Sequence, residues 1–108
     1  MSDDTPEELS VEVLSDSGVP VLVVRGELDA YSAPTLDAVV EQVLAKGAQR
    51  LVLDLGEVGF IDSSGLRSMI RARKQVGDEA GALQIRDPQP STVRLLEITG
   101  LTEHFPVV

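Results

Sequence analysis

Gly59-Phe60-Ile61-Asp62-Ser63-Ser64-Gly65 is the stretch on which the reading of this chain turns. It follows the most strand-like run in the sequence, Leu51-Val52-Leu53-Asp54-Leu55. It precedes Leu66, Met69, Ile70 and Val76, which recur at helical spacing. The stretch therefore reads as a loop joining a strand to a helix. At such a junction the first backbone N–H groups lack intrahelical partners, and the positive end of the helix dipole faces solvent. A small hydroxyl there is open to another protein, and the helix N-terminus could accommodate a phosphate placed on it. Ser63 is on these grounds a candidate phosphorylation switch, although caps are the commoner use of a serine at such a junction. The competing reading makes Ser63 a helix cap or first-turn residue, with Asp62 serving the same end.

Working outward, the elements alternate. Leu9 to Leu14 reads as a first strand with Leu9, Val11 and Val13 on one face. Asp16-Ser17-Gly18 is a turn signal, so Val19 to Arg25 should return as the second arm of a hairpin. Val21-Leu22-Val23-Val24 is apolar on both faces, as an inner strand is. Ser32 is the expected cap of a helix that has Pro34 in its first turn, carries Leu36, Val39, Val40, Val43 and Leu44 on one side, and stops at Gly47. Arg50 to Leu55 is the third strand, and the helix after Gly65 runs to about Val76. Gly77 and Gly81 bracket a turn before a fourth strand, Ala82 to Arg86. Asp87-Pro88-Gln89-Pro90 should not be helical, Ser91 should cap a last helix holding Val93, Leu95, Leu96 and Ile98, and Gly100 should close it. The tail 101–108 is expected to add at most a short edge strand, limited by Pro106. Core positions are Val39, Val40, Leu66, Met69 and Leu96.

The order β-β-α-β-α-β-α implies an α/β domain with a mixed sheet whose core is parallel and flanked by helices. Residues 1–7 read as a disordered acidic tail and 8–108 as one domain. In a parallel arrangement the loop at Asp29 and the loop at Asp62 and Ser63 leave the same carboxyl-end edge, where sites of open α/β sheets gather. Two loops far apart in sequence should then form one surface.

Composition narrows the function. With 18 acidic and 9 basic residues the formal charge is -9, which a nucleic-acid backbone repels. Aromatic residues are 3%, too few for a base-stacking platform. The chain has no Cys and a single His, so thiol nucleophiles, disulfides and histidine-rich metal sites are excluded. The N-terminal residues are acidic and polar, unlike a signal peptide, and no apolar run approaches a membrane span. A cytoplasmic protein with no direct nucleic-acid or membrane partner is expected. Asp29, Asp54, Glu57 and Asp62 have no His or Lys partner by sequence, and neither G-x-x-x-x-G-K-[ST] nor G-x-S-x-G occurs. The expectation is a protein without catalytic activity or cofactor.

Gly26-Glu27-Leu28-Asp29, the capped helix after it, and Phe60-Ile61-Asp62-Ser63-Ser64-Gly65-Leu66 together resemble the STAS domain family, and within it the bacterial anti-sigma factor antagonists. Leu95-Leu96-Glu97-Ile98-Thr99-Gly100-Leu101 adds to the likeness, which covers roughly residues 8 to 108. The resemblance implies a partner switch. The unphosphorylated form binds an anti-sigma factor that is also a serine kinase, releasing a sigma factor. The kinase phosphorylates the serine after the aspartate, here Ser63, and a PP2C-type phosphatase restores it. Asp29, Asp62, Ser63, Ser64, Gly65 and Arg67 are the expected partner-binding residues, with Ser64 assigned to capping or packing. The alternatives are a STAS scaffold or regulatory module with a non-sigma partner, and a small phosphate-ligand-binding protein. Arg67-Ser68-Met69 departs from the aliphatic residues common after D-S-S-G-L, and places a charge where a partner would dock. Arg67, Arg71 and Lys74, with Arg73 nearby, form a basic stripe that reads first as a solvated helix face and second as a docking stripe for an acidic partner.

Overall fold

Two successive residues with positive φ, Ser17 (54°) and Gly18 (85°), turn the chain between its first two strands. That geometry matches the twist of a two-residue hairpin. β1 (Ser10–Asp16) and β2 (Val19–Leu28) accordingly pair antiparallel, closing at Asp16 and Val19. α1 (Ala33–Ala45) then crosses to β3 (Leu51–Ile61), which lies parallel to β2. α2 (Ser63–Val76) crosses to β4 (Leu83–Arg86), parallel to β3. α3 (Pro90–Thr99) follows, closed by Gly100 in the left-handed conformation, and a short 3₁₀ turn covers Thr102–His104. The sheet order is β1-β2-β3-β4, a four-stranded mixed sheet with a parallel core. The structure is a computed structural model and describes residues 9–77, 79 and 81–108, so the expected tail at 1–7 lies outside the described residues.

The sheet sorts its side chains by alternation. Leu22 and Val24 of β2, Leu51, Leu53 and Leu55 of β3, and Leu83 and Ile85 of β4 join one buried cluster. Leu36, Val40 and Val43 of α1, Leu66, Met69 and Ala72 of α2, and Leu96 of α3 fill it from above. All three helices therefore cover one face. On the other face Val21, Val23 and Val52 form a small buried cluster with Val19 beside it. Ion pairs border these valines: Arg25 reaches Glu12 and Glu57, both at 3.1 Å, and Arg86 reaches Asp16 at 3.3 Å. The inner-strand reading of Val21 to Val24 holds, although it is side chains and not helices that shield the second face.

Several local expectations change. β3 does not end at Leu55 but runs on to Ile61. It takes one extra residue against β2 between Asp54 and Glu57, and another between Val58 and Phe60. Gly56 and Gly59 fall at these bulges, where a residue without a side chain lets the strand continue past Leu55. Val13 is 50% exposed although it shares a face with Leu9 and Val11, and Val39 is only half-buried. Pro90 is the first residue of α3, where its missing N–H costs nothing, so the N-cap position falls at Gln89 and Ser91 lies inside the helix. Leu96 is buried there but Ile98 is 75% exposed. In the tail Phe105 is 1% exposed and completes the core, a burial worth about 1.5–3 kcal/mol. Pro106 lends its carbonyl to the Ile85 amide at 2.9 Å, and the chain adds a single bridge, Val107 beside Ile85.

Candidate functional site

The carboxyl end of β2 is a tightly bonded turn. Asp29 Oδ1 accepts from the Tyr31 amide at 3.1 Å and the Ser32 amide at 3.0 Å. The Ser32 hydroxyl accepts from the Asp29 amide at 3.0 Å, and its proton lies between the Glu27 carbonyl at 2.7 Å and Asp29 Oδ1 at 3.0 Å. Ser32 stands before α1 but its hydroxyl caps no helical amide, and its backbone is helical where a cap is extended. It is spent on the Asp29 turn instead, which corrects its reading as a cap. The Ser32 amide and then the Ser32 hydroxyl hold the Asp29 carboxyl below its usual value of 3.8, with a smaller contribution from the Tyr31 amide; partial desolvation opposes them. Asp29 is thus a fixed anion that orders the turn.

The carboxyl end of β3 needs only one residue to become a helix. Asp62 is the N-cap of α2: extended at φ -102° and ψ -171°, it accepts from the Ser64 amide at 2.9 Å and the Gly65 amide at 3.0 Å through Oδ1. Ser63, first in the helix, makes no capping bond and is exposed, whereas Ser64 is half-buried. Capping therefore belongs to Asp62, and Ser63 takes the first-turn position that the competing reading gave it.

The two ends meet. The Asp62 amide donates to the Leu28 carbonyl at 3.2 Å, immediately before Asp29. Gly65 sits against the same residue: a Cβ there would overlap the Leu28 carbonyl oxygen and lie 2.8 Å from Leu28 Cγ. Only glycine lets α2 approach the end of β2 this closely. Asp29, Asp62, Ser63, Ser64 and Gly65 thus belong to one edge, as the parallel topology predicts. Arg67 is exposed one turn along α2.

The basic stripe divides. Arg71 is committed to Asp37 of α1 at 2.8 Å, and Arg73 Nε donates to the His104 carbonyl at 3.1 Å, while Arg67 and Lys74 are exposed. The docking reading of the stripe loses Arg71 to this internal pair. Ser68, 1% exposed, donates to the other Asp37 oxygen. One carboxylate therefore ties the two helices behind the site, a link invisible in the sequence because both partners read as surface residues. Asp54 and Glu57 also have structural roles, accepting from the Gly56 amide and from Arg25.

Sequence reasoning also passed over Tyr31 and Phe60. Tyr31 is 89% exposed and Phe60 48% exposed, each two positions from an aspartate of the site. The available signal was an aromatic residue placed in a polar turn or beside one.

Among the described residues no helix is long and apolar enough to cross a membrane. The chain is 30% identical to an anti-sigma-B factor antagonist of Bacillus subtilis over 88% of its own length and 86% of that protein's. It is 35% identical to an anti-sigma-B factor antagonist of Listeria monocytogenes over 76% of its length and 72% of that protein's. The crystal structure of an anti-sigma factor antagonist from Mycobacterium paratuberculosis superposes with a TM-score of 0.84 at 33% identity, covering 95% of this chain and 87% of that one. The STAS domain model matches residues 10–108, taking in both the Asp29 turn and the Asp62 cap, and by that match the chain belongs to the STAS domain family.

Proposed function

We propose that the chain is an anti-sigma factor antagonist whose unphosphorylated form binds an anti-sigma factor serine kinase and so releases a sigma factor, and that phosphorylation of Ser63 ends the binding. The observation that carries this reading is the exposed Ser63 hydroxyl beside a capped helix end. Asp62 already occupies the Ser64 and Gly65 amides, so a phosphate on Ser63 finds those donors taken. Its charge stays at the surface, near Asp62 and on the edge that carries Asp29. There it opposes a close-fitting partner by like-charge repulsion and by the cost of desolvation. Asp29, Ser64, Gly65 and Arg67 share the docking edge, with Gly65 holding the two loops together. The half-buried Ser64 is the poorer phosphoacceptor. A PP2C-type phosphatase reverses the mark, and the chain supplies no catalysis or cofactor of its own.

The test is phosphorylation by a purified anti-sigma factor kinase with ATP, mapped by mass spectrometry on wild type, Ser63→Ala and Ser64→Ala. Wild type and Ser64→Ala should each gain one phosphate, on Ser63, and Ser63→Ala none. A phosphate retained by Ser63→Ala would overturn the assignment.

A further inference from the structure

The sequence contains one Tyr, two Phe and no Trp. Phe105 is buried in the core, yet Tyr31 and Phe60 are exposed, at 89% and 48%. Both stand at the carboxyl end of the parallel strands. Tyr31 lies in the Asp29 turn, with its amide bonded to Asp29 Oδ1, and Phe60 lies in the last stretch of β3, beside Glu27 of β2. At 89% exposure Tyr31 has little packing to contribute to the fold, so its position is explained by what it offers outward. Both are held on ordered backbone, one by the aspartate turn and one by the strand ladder, so little conformational freedom is lost when a partner covers them.

We infer that Tyr31 and Phe60 are the apolar anchors by which this edge engages its partner, and that they flank the switch at Ser63. The inference rests on the proposed function and names the chemistry of the surface that the anti-sigma factor presents. Residues 26–32 and 59–66 carry Glu27, Asp29 and Asp62 and no Lys or Arg, and the exposed Arg67 at their border leaves the edge with an acidic excess. The complementary surface is therefore an apolar recess for the two rings with basic side chains at its rim, set against these carboxylates. Tyr and other aromatic anchors concentrate binding energy in such arrangements, while the surrounding polar contacts exclude water. The anchors supply affinity whether or not Ser63 is modified, and the phosphate acts on the contact they establish.

The experiment titrates wild type, Tyr31→Ala, Phe60→Ala and the double variant into purified anti-sigma factors of the source organism by calorimetry. Ile98→Ala serves as the control, because Ile98 is 75% exposed on α3 away from the edge. Circular dichroism and thermal melts establish that each variant is folded. Each single aromatic variant should weaken binding by about 10-fold or more, with the control within about 2-fold. A folded double variant that binds within about 2-fold of wild type overturns the anchor assignment and leaves the proposed function standing. Wild type that binds none of the anti-sigma factors overturns the proposed function, and this inference with it.

Discussion

Asp62 and Asp29 do different work with the same side chain. Asp62 satisfies two amides that α2 would otherwise leave unpaired, so Asp62→Ala should cost about 1 kcal/mol in urea unfolding, within the range for lost N-caps. Asp29 accepts three bonds inside its turn and is held below its usual value of 3.8. Because the folded-state value is depressed, the stabilisation is fully present above that usual value and is lost as pH falls through the folded one. Unfolding measured from pH 7 down to pH 2 should therefore show no contribution from Asp29 until about pH 4, then a loss that Asp29→Ala abolishes. Gly65 is the least replaceable residue of the edge. Gly65→Ala must push α2 away from the Leu28 carbonyl, and it should destabilise the fold by more than the Asp62 variant does, although alanine is the better helix former. That Ser63, Asp62 and Asp29 share one edge was legible in the sequence, because short motifs mark the ends of two parallel strands. Ser32 was misread, because a serine before a helix looks like a cap whether it bonds to helical amides or to the preceding turn.

Between elements, the link from α1 to α2 is a carboxylate with two unequal partners. Ser68 is buried and Arg71 is half-exposed. Removing Asp37 leaves the buried Ser68 hydroxyl without its acceptor, so Asp37→Ala should cost about 1–3 kcal/mol, whereas Arg71→Ala should cost under about 1 kcal/mol because solvent already screens it. A double-mutant cycle between Asp37 and Ser68 should show coupling, and Ser68→Ala should be milder than Asp37→Ala. The helices and the crossover order were readable from apolar spacing and from glycine and proline. The end of β3 was not, because Gly56 and Gly59 signal termination locally while the ladder with β2 absorbs them as bulges. Ladder bonds are long-range, and no window along one strand contains them. For the same reason Phe105 read only as part of a tail that could add a short edge strand, and its burial appears only once the rest of the core is in place.

Across the whole molecule, the helices load one face of the sheet and the edge formed by β2 and β3 carries the candidate switch. The fold class was legible because alternating strands and helices admit few arrangements once crossovers are right-handed. Which face stayed open was not, since Val21, Val23 and Val52 read as buried in either case. A rigid edge whose helix amides are already bonded predicts a switch that acts at the surface and leaves the fold alone. Ser63→Glu should keep its thermal midpoint within about 2 °C of wild type and show backbone amide shifts confined to the Asp29 and Asp62 turns. The most direct measurement is the affinity of one purified anti-sigma factor for wild type, Ser63-phosphorylated wild type and Ser63→Ala, read by calorimetry under identical conditions. The account predicts equal binding by wild type and Ser63→Ala and a loss of at least about 10-fold on phosphorylation. Equal binding by the phosphorylated and unphosphorylated chains would contradict it.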